Sequence, residues 1–199
     1  MPPRVLAMLL TTAMCFGVAP SVSLAQSGSG LAVQADGLLR AASDSSLDRL
    51  FQSVHGVSRH RDDAAQVCRA LASKQRASAD TWLALAQSVS PDNRRALTSA
   101  LGEIAISSWQ NVPRPYDEAE ARRWLRQAGV RAAMLNADFS ARIWDDAPND
   151  AEQDALRCQS LGWLLDAVAS QPLAERAAIT RLLLRDGLAQ VLESSQNGV

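Results

Sequence analysis

Apolar residues in this chain recur at steps of three and four from Leu47 to Val191, and in no window do they alternate with polar ones. A period near 3.6 gathers such residues on one face of a helix, whereas a half-buried strand needs a period of two. The chain is therefore expected to be all-α, a single-domain bundle of six to seven helices joined by short loops.

Punctuation residues place the helices. Ser45 with Asp48 three residues on reads as a capping box, starting a helix with Leu47, Leu50, Phe51 and Val54 on one face that Gly56 ends. Asp62 or Asp63 can cap a second helix, carrying Val67, Cys68 and Leu71 to about Lys74, and Ser78 starts a third with Trp82, Leu85, Ala86 and Val89. Ser90-Pro91-Asp92 is a strong start signal, a cap followed by proline at the first helical position. That helix is expected to reach Trp109 and to bury Leu97, Leu101, Ile104 and Ala105. After the rigid Pro113 and Pro115 turn, Asp117 with Glu120 caps a long helix whose apolar positions stay in phase across Gly129 as far as Trp144. Two more helices follow, one capped by Asp150 with Leu161, Leu164, Leu165 and Val168, and one from Pro172 with Leu173, Ala177, Leu182, Leu183, Leu184, Leu188 and Val191.

The N-terminus reads differently. Arg4 is followed by an apolar run from Val5 to Val18, then Pro20, then Ser23-Leu24-Ala25. This is the order of a cleavable signal peptide, with cleavage expected near Ala25. The run is too short and too broken for a membrane span of roughly 20 residues, and no later segment escapes interruption by Arg, Asp or Glu. Met14 rather than a small residue precedes Cys15, which argues against a lipid-modified cysteine. The expected organisation is a signal peptide over 1–25, a flexible leader over 26–44 with a marginal helix from Leu31 to Ala42 weakened by Gly37, the helical domain over 45–193 and a frayed tail over 194–199. The mature protein is expected to be periplasmic or secreted, with the bacterial periplasm preferred.

An oxidising compartment gives the cysteines meaning. Cleavage removes Cys15 and leaves Cys68 and Cys158, both on apolar stripes, so one disulfide between them is expected.

Charge excludes one class of partner. With 20 basic against 21 acidic residues, the chain carries no nucleic-acid footprint. Arg59-His60-Arg61 is the densest positive run and stands just ahead of a helix start, where backbone donors favour anions; its plainer reading is neutralisation by Asp62 and Asp63. His55 and His60 are the only histidines and have no ligand spacing for zinc. Asp145, Asp146, Asn149, Asp150, Glu152 and Asp154 lack the spacing and glycine of a calcium loop. No metal or cofactor is expected. Glu103 and Asp166 are the acids nearest apolar runs, but each falls off its helix's stripe, which leaves a paired-carboxylate hydrolase without its cleft. The arginines at 122, 123 and 126, with Glu118 and Glu120 a turn earlier, describe a wet helix face. Trp124 and Trp163 flank their stripes, and a partly exposed tryptophan patch is expected there as a flat binding surface.

Taken together, the residues point to a non-enzymatic module of the inhibitor, immunity, chaperone or secretion-accessory kind, recognising another extracytoplasmic protein. The competing expectation is a small helical enzyme, a lyase, mutase or wall-active hydrolase, acting on an anionic substrate.

Overall fold

The computed structural model describes residues 28–72, 79–141 and 151–197, and every element within them is a helix. There are eight among the described residues: α1 (Gly28–Ala41), α2 (Asp44–Arg59), α3 (Arg61–Ala72), α4 (Ala79–Ser88), α5 (Pro91–Gln110), α6 (Glu118–Leu135), α7 (Ala151–Ala169) and α8 (Leu173–Asn197). The signal peptide, the ends expected at Lys74 and Trp144, the start at Ser78 and the acidic stretch Asp145 to Asp150 lie outside the described residues.

The count exceeds the expected six to seven because α1 is a full helix, Gly28–Ala41, rather than a short, marginal one in a flexible leader. The free carbonyls at a helix C-terminus need donors, and here other elements supply them. Arg181 donates from Nε to Leu39 O at 2.9 Å and from Nη2 to Ala42 O at 3.1 Å, Ser108 Oγ to Leu38 O at 2.8 Å, and Arg114 N to Arg40 O at 3.2 Å. Leu39, Ala41 and Ala42 are buried, so α1 docks on α5 and α8 by its last turn.

Several boundaries shift for similar reasons. Ser43, not Ser45, is the N-cap of α2, accepting from Ser46 N at 3.1 Å. The helix runs through Gly56 to Arg59 because Val57 is buried beyond it. On α5 the buried positions are Ala100 and Ser108, with Leu97 and Ile104 half-buried, while Leu101 is 54% exposed and Ala105 is also exposed. The docking face is thus rotated toward small residues, which let α5 approach α1 and α2 closely: Ser107 Oγ accepts from Ser43 N at 3.3 Å and lies 2.9 Å from Ser46 Oγ. Helix α6 is continuous across Gly129, starting at Asp117, whose side chain accepts from Glu120 N at 2.9 Å. It stops well before Trp144, at Asn136, whose backbone turns extended while its side-chain Nδ2 donates to Ala132 O at 2.9 Å and caps the last turn. Phe139 then packs on the core from a loop. Helix α8 continues through Asn197, into the stretch expected to fray.

Helix α8 organises the bundle. It packs on α1, α2 and α6, and Ile179 and Leu182 on it, with Leu47 on α2, are among the most completely buried large side chains. Each such burial is worth about 1.5–3 kcal/mol relative to exposure. The main core joins Phe51, Ala128, Ala132, Leu165, Val168 and Ile179 from α2, α6, α7 and α8. Helices α3 and α4 form a limb at one side, with α4 packed principally on α3. Cys68 on α3 and Cys158 on α7 form the expected disulfide, with Cα atoms 5.5 Å apart, and tie this limb to the body. No helix among the described residues is long and apolar enough to cross a membrane.

Candidate functional site

The basic run does not gather into one site. Arg59 Nη1 donates to Asp166 at 2.9 Å (Oδ1) and 3.2 Å (Oδ2), and His55 Nε2 donates to the same Oδ1 at 2.7 Å. Burial pushes the Asp166 carboxyl upward, but the bonds from His55 and Arg59 outweigh it and hold the group below its ordinary value. His60 instead lies 3.3 Å, from Nδ1, from Asp63, and Arg61 is exposed on the first turn of α3. Arg59 and His60 therefore serve different carboxylates. His55 sits a turn inside the end of α2 and stacks on Phe51 with ring centroids 5.9 Å apart.

Asp63 does not cap its own helix. It is buried and accepts from Ser90 N at 2.8 Å, from Ser90 Oγ at 2.6 Å and from Asn93 Nδ2. This satisfies the start of α5 from across the α3–α5 junction. Ser90 is the N-cap by position, but its hydroxyl is turned to Asp63 instead of its own helix.

The two tryptophans expected as a partly exposed, flat patch each turn one side inward. Trp124 and Trp163 are half-buried and pack against the main core, since α6 and α7 each contact more than one neighbour. Among the tryptophans whose burial is described, the exposed one is Trp109, 88% accessible near the end of α5. Glu103 and Asp166 do not face each other across a cleft: Glu103 pairs with Arg49 on α2, and Asp166 with His55 and Arg59. No group of three or more His, Cys, Asp or Glu among the described residues is placed to hold a metal ion.

What the structure adds is a cavity of about 860 Å³ walled by α2 to α8. Leu125 on α6, Leu161 and Leu164 on α7, and Phe51, Val57 and Val67 on α2 and α3 give its character. Helix α6 leaves the space unfilled because the positions it turns to the cavity include Gly129 and Ala133; a Cβ built on Gly129 meets nothing within 4 Å. Besides Arg126, the exposed lining residues are Val54, Ala86, Val130, Ala133, Ala141 and Leu183, at the edges where the cavity meets solvent. Among the described lining residues, two carry polar side-chain groups, Ser58 and Arg126. Ser58 Oγ already donates to His55 O at 2.8 Å. Arg126 is exposed and makes no ion pair or side-chain hydrogen bond with a described residue.

Arg122 and Arg123 account for that contrast. Arg122 binds Glu118 at 2.7 Å and Asp186 at 3.0 Å, and Arg123 binds Glu120 at 2.7 Å. Counting back three and four residues from Arg126 reaches only Arg123 and Arg122, so the helix offers it like charges where a partner would stand. The sequence carried this signal in the spacing of the acids, but the cavity beside Arg126 depends on seven helices and has no local signature. No family model, curated protein or solved structure matches the chain, and the site is read from its own residues.

Proposed function

We propose that this chain is an extracytoplasmic binding protein, acting by recognition, and that its site is the cavity between the helices with an apolar molecule as occupant. The observation that carries the reading is the wall: about 860 Å³ of space, within the roughly 300–1,000 Å³ typical of ligand pockets, faced among the described residues by aliphatic and aromatic side chains, with the Arg126 guanidinium at the edge. Such a wall supplies transfer free energy for an apolar ligand. The described lining includes no carboxylate or histidine, and Asp166, next in sequence to the lining residue Leu165, is committed to His55 and Arg59. The Cys68–Cys158 disulfide supports residence in an oxidising compartment, as does the signal peptide read from residues 1–25.

A titration tests this. The protein, purified with its disulfide intact, is mixed with a polarity-sensitive dye such as anilinonaphthalene sulfonate, and the same is done with Ala133→Trp, which places an indole in the opening. Saturable binding near one dye per chain, weakened by the tryptophan, is expected. Absence of saturable binding, or binding indifferent to Ala133→Trp, would remove the cavity as the site.

A second reading, a protein partner of the inhibitor, immunity, chaperone or secretion-accessory kind, is favoured by a different observation. Trp109 near the end of α5 and Val112 just beyond it are 88% and 81% exposed, and tryptophan is enriched where proteins meet. Capture of a stoichiometric partner that Trp109→Ala abolishes, with dye binding unchanged, would favour it.

A further inference from the structure

We infer that the occupant is a long-chain carboxylate, its alkyl chain in the cavity and its head on Arg126; this rests on the cavity being the binding site. Three observations converge. The described wall is apolar apart from Ser58, whose hydroxyl is bonded to His55 O, so a polar group on the buried part of the ligand would be left unpaired. The polar group it does have must therefore lie at the opening. There, among the described lining residues, stands one charged side chain, and it is a cation: Arg126, whose neighbours Arg122 and Arg123 are occupied by Glu118, Asp186 and Glu120. A single planar guanidinium matches a two-oxygen, singly charged head by two parallel N–H···O bonds. A phosphate monoester carries more charge than one arginine balances, and a zwitterionic head would bring its own cation to the same place.

The geometry also fixes which end is inside. Arg126 and Val130 are one turn apart on α6, both exposed, whereas Leu125 on the same helix is half-buried against the core. A head on Arg126 thus leaves the chain to run inward past Gly129, where a side chain would otherwise stand.

The test is a set of titrations on the delipidated protein, disulfide intact, below the micelle concentration of each probe. The probes are dodecanoate, dodecanol and dodecyltrimethylammonium, with shorter and longer carboxylates as a length series. Affinity should rise about fourfold per methylene until the cavity is filled. Dodecanoate should bind about five- to tenfold more tightly than dodecanol, and Arg126→Gln should remove that difference while leaving dodecanol unchanged. Ala133→Trp should weaken all three probes. Equal binding of dodecanoate and dodecanol, or a preference for the cation, or no selective effect of Arg126→Gln, would overturn the head assignment and leave the apolar site standing. No saturable binding of any probe would overturn both.

Discussion

Arg176, in the first turn of α8, grips Asp48 of α2 with both arms of its guanidinium, Nε at 2.6 Å from Oδ1 and Nη2 at 3.1 Å from Oδ2. Its remaining nitrogen Nη1 donates to Gln171 O and Ala169 O at the end of α7. The two side chains are only 16% and 14% exposed, and the bond to Asp48 raises the guanidinium's pKa further. Three helices meet on this one cation.

Removing one partner of such a pair leaves the other charge in a desolvated place, at a cost of about 3–5 kcal/mol. Arg176→Ala and Asp48→Ala should each lower the urea-unfolding free energy by that order, and the double variant should lose less than the two singles combined. A loss under about 1 kcal/mol for either single variant would mean that the pair behaves as an exposed one.

The residues that announced themselves in the sequence were those whose partners are close in the chain. The starts of α5 at Pro91 and α6 at Asp117, the continuity of α6 across Gly129 and the pairing of Cys68 with Cys158 could all be read from spacing and residue type. What could not be read depends on distant partners. Helix α1 has its C-terminal carbonyls satisfied by Arg181, more than a hundred residues away. Asp63 looks like a local cap and serves α5 instead. The tryptophan stripes of α6 and α7 seemed to have a free flank because the helices covering them could not be placed. The unpaired state of Arg126 was visible in the order of charges on α6, but its meaning depended on a cavity that no single segment encodes.

Asp63 gives a prediction in pH. Burial pushes its carboxyl upward, and the bonds from the Ser90 side chain, Asn93 and the Ser90 backbone, with the charge of His60, outweigh that and hold it below the ordinary value. A depressed carboxyl contributes stability that is present above the unfolded value and lost as pH falls through the folded one. Stability should therefore decline as pH drops below the ordinary carboxylate range. Asp63→Asn, which cannot accept from all three donors, should cost about 1–3 kcal/mol at neutral pH and flatten that acid slope. An unchanged slope in denaturant melts at descending pH would count against the assignment.

The disulfide should matter to both stability and site. It spans a sequence separation of 90 residues, for which the chain-entropy model allows up to about 4–5 kcal/mol. It also anchors α3, whose Val67, with Leu85 and Val89 of the α4 region, walls one side of the cavity. The Cys68→Ser, Cys158→Ser double variant should unfold at lower denaturant and bind the polarity-sensitive dye more weakly under conditions where it is still folded by circular dichroism. Dye binding equal to that of the parent would show that the α3–α4 limb keeps its place without the crosslink.

Tyr116 is the chain's single tyrosine, which makes its ionisation directly measurable. It packs against Ala121, Ala178 and Leu182, with the guanidinium groups of Arg181 and Arg185 5.6 and 5.8 Å from its ring. Burial raises its pKa to about 12, in spite of Arg185 and Arg181, whose charges favour the phenolate. In the unfolded chain the phenol titrates near 10. A raised pKa means that the folded state holds the proton longer, so this contribution is complete below about pH 10 and is lost as pH rises toward 12. Tyrosinate absorbance followed on the folded protein should show one transition, displaced upward from that of the protein in denaturant. Tyr116→Phe should abolish the absorbance change and, because the hydroxyl is buried without a hydrogen-bond partner among the described residues, should leave stability at neutral pH unchanged or slightly raised. A folded-state transition near 10 would place the hydroxyl in solvent and remove the packing that brings the start of α6 onto α8.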